Sequence, residues 1–477
     1  MSIGSDLTRM NATAVVEALG KGEITPLDCL DALEKRIAAV DGEVNALPTL
    51  CFDRARAHAR RLMERPASER GLLAGLPVPI KDLTDVEGVR STLGSPIFSD
   101  HIPAASDALV ERLEENGGVV YAKSNTPEFG AGGHTFNEVF GMTRNPWDLS
   151  RSAAGSSGGA AAALASGTAW LAHGSDMGGS LRNPASFCGI VGLRPSVGRV
   201  AHTPVGQVDQ TLGVQGPMAR TVEDVALMLD AMSGEHLADP LSLPLLPTSF
   251  LATVRKGGTP KRVAYSRDLG ITPVDPEVAA ITRKAAQRFA DAGVIVEEAQ
   301  PDLHEAHECF QTLRAVAFAV SKADLLRTDR DKLKPEVIWN IEQGMKLTMN
   351  EIARAELQRV ALMQRMQKFF ETYDLLLAPA TIVSPFTVEH RYVAECDGKK
   401  FDNYVEWLAI AYAVTLTGVP ALSMPCGFTA TGLPVGLQVI GPPRGEGPLL
   451  AGAKVLEDIL GLRGQTPIDP RKAALAA

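Results

Sequence analysis

Several features that mark common protein classes are missing from this chain of 477 residues. Its six cysteines are scattered without a CxxC pair, which is typical of reduced thiols in a cytosolic protein rather than of a disulfide framework. The nine histidines contain no HExxH or similar ligand spacing. His304 and His307 come nearest to such a pattern, but no carboxylate motif accompanies them. We therefore expect no metal site.

The chain also lacks runs of like charge and long hydrophobic runs. Its formal net charge is -9, so a broad electrostatic attraction to nucleic acid or to an anionic membrane surface is not expected. No uninterrupted apolar segment reaches the roughly 20 residues that a bilayer-spanning helix needs. The first ten residues show no basic segment followed by an apolar stretch, as a secretory signal would. The sequence predicts a cytoplasmic enzyme without nucleic-acid or membrane partners.

What the chain does have is the composition of a globular protein, with 45% hydrophobic and 22% charged residues. Helical periodicity dominates at the start, for example over Pro26–Val40. From about residue 72 short apolar runs, Leu76–Ile80 and Val119–Ala122, alternate with helical patterns such as Ala108–Glu115. This alternation predicts an α/β fold with a largely buried sheet.

Changes in composition divide the chain into four regions, which we expect to form one structural domain. A core region rich in Gly, Ser and Ala carries nearly all the candidate chemistry, and a more charged, helical insert follows it and is expected to cap the site. Sheet signals return in the last region, for example at Val435–Ile440. The predicted boundaries are 1–65 for the N-terminal helices, 66–240 for the core, 241–370 for the insert and 371–477 for the return to the sheet.

The first chemical feature is a pair of serines among glycines, Gly155-Ser156-Ser157-Gly158-Gly159. Glycines allow the backbone to adopt unusual conformations and to approach a ligand closely. The alanines that follow, Ala160–Ala165, predict a helix whose positive N-terminal end lies near the serines. A phosphate-binding loop is excluded because no Gly-Lys-Ser/Thr follows. A turn of small residues remains an alternative for this segment taken alone.

The second feature is the segment Asp176–Arg182, in which two glycines precede Ser180. Small residues let several backbone N–H groups converge on one point, as the stabilisation of an oxyanion requires. Ser180 is therefore a candidate nucleophile beside its own oxyanion hole.

A serine nucleophile needs a base. His134, His173 and His202 stand isolated in the sequence, and we interpret each as structural. Lys81 follows an apolar run, so it is expected at the end of a buried strand, where burial lowers the pKa of a lysine and frees its neutral amine. Taken alone, an ordinary surface lysine is the simpler interpretation of Lys81.

The three segments taken together resemble the amidase signature family. Pro-Ile-Lys81-Asp, Gly-Ser156-Ser-Gly-Gly and Gly-Gly-Ser180-Leu-Arg occur in the family's order, and the two serines have the family's separation. The resemblance extends from roughly residue 8 to 465 and includes Arg144–Trp147 and Gly216–Arg220. It implies one large domain with a central mixed, twisted β-sheet covered by helices on both faces.

The resemblance also implies a set of roles for the site residues. Ser180 is expected to form an acyl-enzyme, Ser156 to bridge after a cis Gly155–Ser156 peptide, and Lys81 to act as the terminal base. Asp176 and Arg182 are expected to hold the loop by pairing. No metal or organic cofactor is needed. The expected oxyanion donors are the backbone N–H groups of Met177, Gly178, Gly179 and Ser180.

The chain departs from the family pattern at a few positions. Ala153-Ala154 replace the usual Pro-Gly, and Ser175 stands where threonine is common, with its hydroxyl retained. None of these changes removes a catalytic group.

The expected substrate is a small-molecule amide with an apolar or aryl acyl group, including anilides, and the expected assembly is a homodimer. Residues expected to line the substrate pocket are Phe129, Gly130, Ala131, Gly132 and Met177, with Phe318, Trp339 and Ile341 from the insert. Three alternatives remain: cleavage of carbamates by the same triad, a catalytically inactive binding protein, and the amidase subunit of a tRNA-dependent amidotransferase. The last usually carries a Tyr-Tyr-rich motif near its middle, which Thr312–Ala323 does not contain.

Overall fold

A capping box starts the second N-terminal helix of the computed structural model, which describes residues 7–472. The Thr25 hydroxyl accepts a hydrogen bond from the Asp28 N–H at 3.2 Å, while the Asp28 carboxylate accepts one from the Thr25 N–H at 2.8 Å. This capping box precedes Pro26, whose fixed φ suits the first helical position. Residues 1–6 and 473–477, at the outer ends of the first and last predicted regions, lie outside the described range.

The α-helices of the described range include the predicted helical patterns and add α6, α8, α10, α11, α13 and α14, which those patterns did not delimit. No helix within residues 7–472 combines the length and the apolar character needed to cross a membrane. The helices are α1 (Ala12–Gly20), α2 (Pro26–Val44), α3 (Phe52–Met63), α4 (Ala108–Glu115), α5 (Gly158–Ser166), α6 (Arg182–Cys188), α7 (Val222–Met232), α8 (Phe250–Lys256), α9 (Pro276–Gln287), α10 (Ala306–Thr328), α11 (Pro335–Lys346), α12 (Met349–Phe369), α13 (Ala409–Thr417) and α14 (Glu446–Leu460).

The strands form one large sheet and several small ones. They are β1 (Thr49–Leu50), β2 (Pro77–Lys81), β3 (Val119–Ser124), β4 (Phe136–Asn137), β5 (Gly141–Met142), β6 (Arg144–Asn145), β7 (Asp148–Ser152), β8 (Leu171–Asp176), β9 (Val191–Arg194), β10 (Val214–Ala219), β11 (Arg262–Tyr265), β12 (Ile295–Glu298), β13 (Leu375–Pro379), β14 (Glu395–Cys396), β15 (Lys399–Lys400), β16 (Ala421–Phe428) and β17 (Pro434–Ile440).

The large sheet has eight strands in the order β12-β11-β13-β17-β16-β9-β10-β8. Strand β11 pairs in parallel with both β12 and β13, and the other pairings are antiparallel. The sheet is therefore mixed. Helix α6 packs on it at Gly436, where an added Cβ would meet Ser186, and α9 packs at Gly427. This architecture is the predicted α/β fold with a helix-covered central sheet.

A smaller sheet, ordered β1-β3-β2, carries the predicted base. Strands β2 and β3 are parallel, and all five residues of β2 are buried. The Lys81 N–H donates to His173 Nδ1 of β8 at 3.3 Å, which joins this sheet to the edge of the large one. The end of β2 is thereby fixed beside the end of β8.

The region 241–370 contributes to the sheet as well as to the helical layer. Strands β11 and β12 belong to it and form one edge of the large sheet. Helix α10 packs against α11, α12 and α13. A separate small apolar cluster joins this region to the loop after β3 through Ala131, Phe318, Leu333, Val337 and Ile341.

Candidate active site

A cavity of about 460 Å³ brings the chemical segments together. Ser156, Ser175 and Ser180 all reach its wall. Lys81 lies behind that wall with no exposed surface. Further lining comes from the loops after β2 and β3, from the loop 201–213, from α10 and from Val405 and Leu408.

The Lys81 amine contacts three hydroxyl oxygens. Its Nζ lies 2.7 Å from Ser156 Oγ, 2.9 Å from Ser157 Oγ and 3.0 Å from Ser175 Oγ. No carboxylate within residues 7–472 forms an ion pair with it. The amine therefore sits in a pocket of neutral dipoles.

Burial lowers the pKa of Lys81 from the ordinary lysine value to about 7, and the negative charge of Asp176 opposes that shift. Removing an ammonium from water disfavours its charged form unless a counter-charge replaces the water. Here the Asp176 charge is largely neutralised, because Arg182 Nη2 lies 2.9 Å from Asp176 Oδ1 and Arg194 Nη1 lies 3.4 Å from the same atom. A neutral amine is thus available near physiological pH.

The hydroxyl of Ser157 is oriented by its surroundings. Ser157 Oγ donates to the Ser175 carbonyl at 3.3 Å and accepts from the Ser175 N–H at 3.3 Å. Because its proton points at that carbonyl, Ser157 Oγ accepts from Lys81 rather than donating to it. The lone pair of neutral Lys81 is then free to accept the proton of Ser156.

The chain reaches Ser156 through the cis Gly155–Ser156 peptide that the resemblance implies. Ala154, which replaces the family's glycine, has a φ of 56° and so adopts a left-handed conformation that costs a residue with a Cβ about 1 kcal/mol. After Ser157 the chain enters α5, whose residues are all buried. Ala154 therefore stands in a backbone conformation that glycine would adopt more readily.

The loop that carries Ser180 is held by Asp176. The Asp176 carboxylate accepts hydrogen bonds from the Gly179 N–H at 2.9 Å and the Leu181 N–H at 3.1 Å, in addition to its pair with Arg182. These contacts lower the pKa of Asp176 far below its usual value, although burial opposes them. The predicted pairing of Asp176 with Arg182 is present.

This arrangement corrects one predicted oxyanion donor. The Gly179 N–H is occupied by Asp176 Oδ1, so it does not face the cavity as a free donor. The N–H groups of Met177, Gly178 and Ser180 have no hydrogen-bond partner within residues 7–472. Gly179 instead supplies a φ of 107°, which only glycine adopts readily.

Ser180 and Ser156 are brought together through the backbone. The Ser157 N–H donates to the Ser180 carbonyl at 3.3 Å, which fixes one serine loop against the other. Within the described residues, Ser180 Oγ forms no hydrogen bond with Ser156 Oγ. Both hydroxyls face the same cavity.

Each of the three histidines that were interpreted as structural contacts a side chain other than Ser156 or Ser180. His134 Nδ1 contacts Ser152 Oγ at 2.7 Å, and burial lowers its pKa to about 4. His173 Nε2 contacts Gln215 Oε1 at 2.8 Å, and burial lowers its pKa to about 3. His202 Nδ1 lies 3.5 Å from Asp239 Oδ2.

No cluster of three or more His, Cys, Asp or Glu side chains suited to a metal ion occurs within residues 7–472. His304 contacts Asp302 at the surface, with Nδ1 2.9 Å from Oδ1. His307 contacts Tyr412 through Nδ1 at 2.6 Å and the Ile271 carbonyl through Nε2 at 3.0 Å. The two rings therefore serve separate local contacts.

The predicted pocket residues divide into two groups. Phe129, Gly130, Gly132, Met177 and Phe318 line the cavity. Ala131, Trp339 and Ile341 do not: Ala131 and Ile341 are buried in the small apolar cluster, and Trp339 packs on the main core. Apolar side chains of an insert supply core packing before they supply a pocket.

The sequence reasoning missed two cations at the cavity, Arg314 and Lys322. They lie with Phe318 on α10 at intervals of four residues, so the helical period places all three on one face. That spacing is the signal by which they could have been found.

The chain is similar to known proteins over nearly its whole length. The amidase family profile matches residues 28–450. An acylamidase of Rhodococcus erythropolis is 34% identical over 467 residues, which cover 96% of this chain and 97% of the relative. A glutamyl-tRNA(Gln) amidotransferase subunit of Moorella thermoacetica is 35% identical over 480 residues, covering 95% of this chain and 97% of the relative. The crystal structure of a bacterial aryl acylamidase superimposes with a TM-score of 0.88 at 26% identity, covering 96% of this chain and 99% of that one.

Proposed function

This chain belongs to the amidase family and is an amide-hydrolysing enzyme, and we propose that it acts through an acyl-enzyme on Ser180. The observation that carries the proposal is the buried Lys81 amine in contact with Ser156 Oγ at 2.7 Å, on the cavity that Ser180 also lines. A base, a bridging hydroxyl and a nucleophile are the parts that serine catalysis needs.

The reaction begins with a proton transfer through two hydroxyls. Neutral Lys81 accepts the proton of Ser156 while Ser156 accepts the proton of Ser180, whose Oγ attacks the carbonyl carbon of the amide. The oxyanion that develops is stabilised by the unpaired N–H groups of Met177, Gly178 and Ser180.

The same relay completes the cycle. The protonated Lys81 returns a proton through Ser156 to the amide nitrogen, because an amine leaves readily only once it is protonated. Water then enters, gives a proton through Ser156 to Lys81 and attacks the ester on Ser180, and the relay returns that proton to Ser180 Oγ as the ester bond breaks. The products are a carboxylic acid and an amine or ammonia.

We propose an apolar or aryl acyl amide, including anilides, as the substrate. Support comes from the apolar side chains of the cavity wall, among them Leu83, Phe129, Phe310, Phe318 and Leu408. Carbamates present a similar carbonyl to the same triad and are the first alternative. Turnover of matched amides, anilides and carbamates separates these classes.

The proposal is tested with the variant Ser180→Ala. We expect it to lose both hydrolysis of butyryl 4-nitroanilide and labelling by a fluorophosphonate probe. Ser106→Ala is the matched control, since Ser106 also lines the cavity but its Oγ accepts from the Glu87 N–H. Undiminished turnover by Ser180→Ala refutes the assignment, and failure of the probe to label the native enzyme supports an inactive binding protein instead.

A second candidate function is that of the amidase subunit in a tRNA-dependent amidotransferase, which the similarity to the Moorella protein favours. The helix segment Thr312–Ala323 lacks the Tyr-Tyr-rich motif of that family and presents Arg314 and Lys322 to the cavity instead. Release of ammonia from glutamine and co-purification of partner subunits are the observations that would favour this candidate.

We also propose a homodimer in the cytoplasm. The six cysteines are all free thiols, which suits a reducing compartment. Apolar side chains exposed on α10 and α12, including Val320, Met349 and Leu357, offer a surface for self-association. Light scattering after size-exclusion chromatography tests the assembly, and a monomer at micromolar concentration would contradict it.

A further inference from the structure

One wall of the catalytic cavity carries two cations on a single face of α10. Arg314 and Lys322 are separated by two helical turns, with Phe318 between them. Arg314 Cζ lies 4.7 Å from the centre of the Phe318 ring, and Lys322 Nζ lies 5.3 Å from the same centre. Both charges therefore approach one aromatic ring at the edge of the cavity.

Arg314 is held in place by neutral groups. Its Nε donates to Asn340 Oδ1 at 3.1 Å, and its Nη2 donates to the Tyr404 hydroxyl at 3.1 Å. Its Nη1 approaches Met177 Sδ at 3.4 Å, beside the expected oxyanion donors. Three of its five N–H donors are used, and no carboxylate within residues 7–472 pairs with it.

Lys322 uses an even smaller share of its hydrogen-bond donors than Arg314 does. Its Nζ donates to Ser321 Oγ at 3.0 Å and lies 5.2 Å from the Phe129 ring centre. No ion pair joins it to a carboxylate in the described part of the chain. An ammonium has three donors, so two have no hydrogen-bond partner in the described residues, and the half-buried Lys322 lines the cavity.

The carboxylates near this wall do not pair with Arg314 or Lys322. Glu128 accepts from the Ser95 hydroxyl at 2.6 Å and from the Lys334 N–H at 2.8 Å. Asp209 lies on the loop 201–213, which approaches α10 where Gly206 faces Ser321. Asp209 forms no hydrogen bond or ion pair with Lys322. The cavity is also lined by Asp85, Asp107 and Asp176, and none of them forms an ion pair with Arg314 or Lys322. Buried charges are normally paired, so the buried Arg314 and the half-buried Lys322, both without a carboxylate partner within residues 7–472, point to an anionic ligand.

We propose that the substrate carries a carboxylate that docks on Lys322 beside Arg314, while its apolar part lies between Phe129 and Phe318. This inference rests on the proposed amidase function and narrows its substrate class to amides that bear an acid group. The docked carboxylate replaces the water that burial removes from both cations and positions the scissile carbonyl near Ser180.

The first test compares two anilides of nearly equal shape. Glutaryl 4-nitroanilide carries a carboxylate on the acyl side, and 5-methylhexanoyl 4-nitroanilide carries an isopropyl group in its place. A second pair, 4-butyramidobenzoate and 4-isopropylbutyranilide, makes the same exchange on the amine side. In at least one pair we expect kcat/KM of the native enzyme to favour the carboxylate by about tenfold or more, the worth of a charge-assisted hydrogen bond.

The variant Lys322→Met tests whether Lys322 causes the preference for the carboxylate substrate. We expect it to lower the ratio of kcat/KM within the preferred pair by about tenfold, and Lys322→Arg to retain most of the ratio. Lys332→Met is the matched control, because Lys332 lies on the surface with its Nζ 2.7 Å from Asp329 Oδ1. It leaves the ratio unchanged.

The pH dependence of the ratio gives a readout that a structural role would not produce. Burial and the neighbouring Arg314 lower the pKa of Lys322 to about 8. Since only the ammonium binds an anion, the preference for the carboxylate holds below about pH 8 and declines above it. Lys322→Arg, whose guanidinium stays charged, moves this decline to higher pH.

Two outcomes overturn the inference. One is a native enzyme that favours neither carboxylate, and the other is a Lys322→Met variant that changes both members of a pair equally. If the isopropyl anilides are still hydrolysed in a Ser180-dependent way, only the carboxylate inference fails. If no anilide is hydrolysed and Ser180 is not labelled, the proposed function fails with it.

Discussion

Two lysines on neighbouring strands show how partners decide what a buried amine does. Lys81 ends β2 and Lys123 lies on β3, paired in register with Ile80. Neither has any exposed surface, and burial lowers the pKa of both. Lys81 contacts only hydroxyls, whereas Lys123 Nζ lies 3.4 Å from Asp82 Oδ1. The neutral surroundings suit a base, and the carboxylate suits a structural ion pair.

Further polar groups surround Lys123, and one of them, Thr84, also lines the cavity. Its Nζ donates to the Thr84 carbonyl at 2.7 Å and to Ser91 Oγ at 2.6 Å. Asp82 in turn accepts from the Thr92 hydroxyl at 2.5 Å and the Thr92 N–H at 3.1 Å. Burial raises the pKa of Asp82, and the charge of Lys123 opposes that rise. This network ties the segment after β2 to β3, beside the end of β2 that carries Lys81.

Replacing each lysine by methionine gives the largest expected contrast. Lys81→Met should lower kcat toward an anilide by about 10³-fold or more, because the relay loses its proton acceptor. Its melting temperature should not fall, since an amine without a counter-charge is removed from the interior. Stopped assays of kcat together with thermal unfolding check both points. A Lys81→Met enzyme that keeps a tenth of the native kcat would contradict the proposed difference between the two lysines.

Lys123→Met should show the opposite pattern. The Asp82 side chain, 1% exposed, would be left without its cation, which costs about 3 kcal/mol of the free energy of unfolding. The kcat of the folded variant should remain within about threefold of the native value, as Lys123 does not reach the cavity. Denaturant unfolding measures the loss.

The double variant Lys123→Met/Asp82→Asn separates a lost ion pair from lost packing. We expect it to recover most of the stability, because the buried charge is removed as well. A double variant that is no more stable than Lys123→Met would assign the cost to packing instead.

The pH dependence of kcat/KM gives a smaller expected difference between Lys81 and Lys123. Only the neutral form of Lys81 accepts a proton, and its pKa is about 7. For an uncharged anilide, kcat/KM should rise with pH through about 7 and level off above it. Lys123→Met should keep the same midpoint. A profile that is flat between about pH 6 and 8 contradicts the assignment of Lys81 as the base.

The sequence predicted some of the strands around the two lysines and did not predict others. The apolar runs at Leu76–Ile80 and Val435–Ile440 predicted strands that the structure contains as β2 and β17. Strands β8 and β10 were missed because they include glycine, histidine or proline and pair with each other only in the folded chain. Local patterns reveal local structure, while pairing across the chain needs tertiary contacts.

The same limit applies to the site. Motifs placed Lys81 and Ser156 in contact, as the structure shows. The oxyanion set was overcounted at Gly179, because the sequence does not tell that the Asp176 carboxylate turns back to bind its N–H. The ion pair of Lys123 was missed because it joins β3 to Asp82, the residue that follows β2, and no local pattern of the sequence connects the two.

The smallest expected effects come from the hydroxyls that hold each amine. Ser157→Ala and Ser175→Ala each remove an oxygen that accepts from the Lys81 ammonium, so the neutral form gains and the midpoint of the pH profile should fall by up to about one unit. We expect kcat/KM to fall by less than about tenfold, as the Lys81–Ser156 contact remains. Ser91→Ala, which removes the equivalent contact of Lys123, should leave the midpoint in place. An equal shift in all three variants would show that Lys81 is not distinguished by its hydroxyl partners.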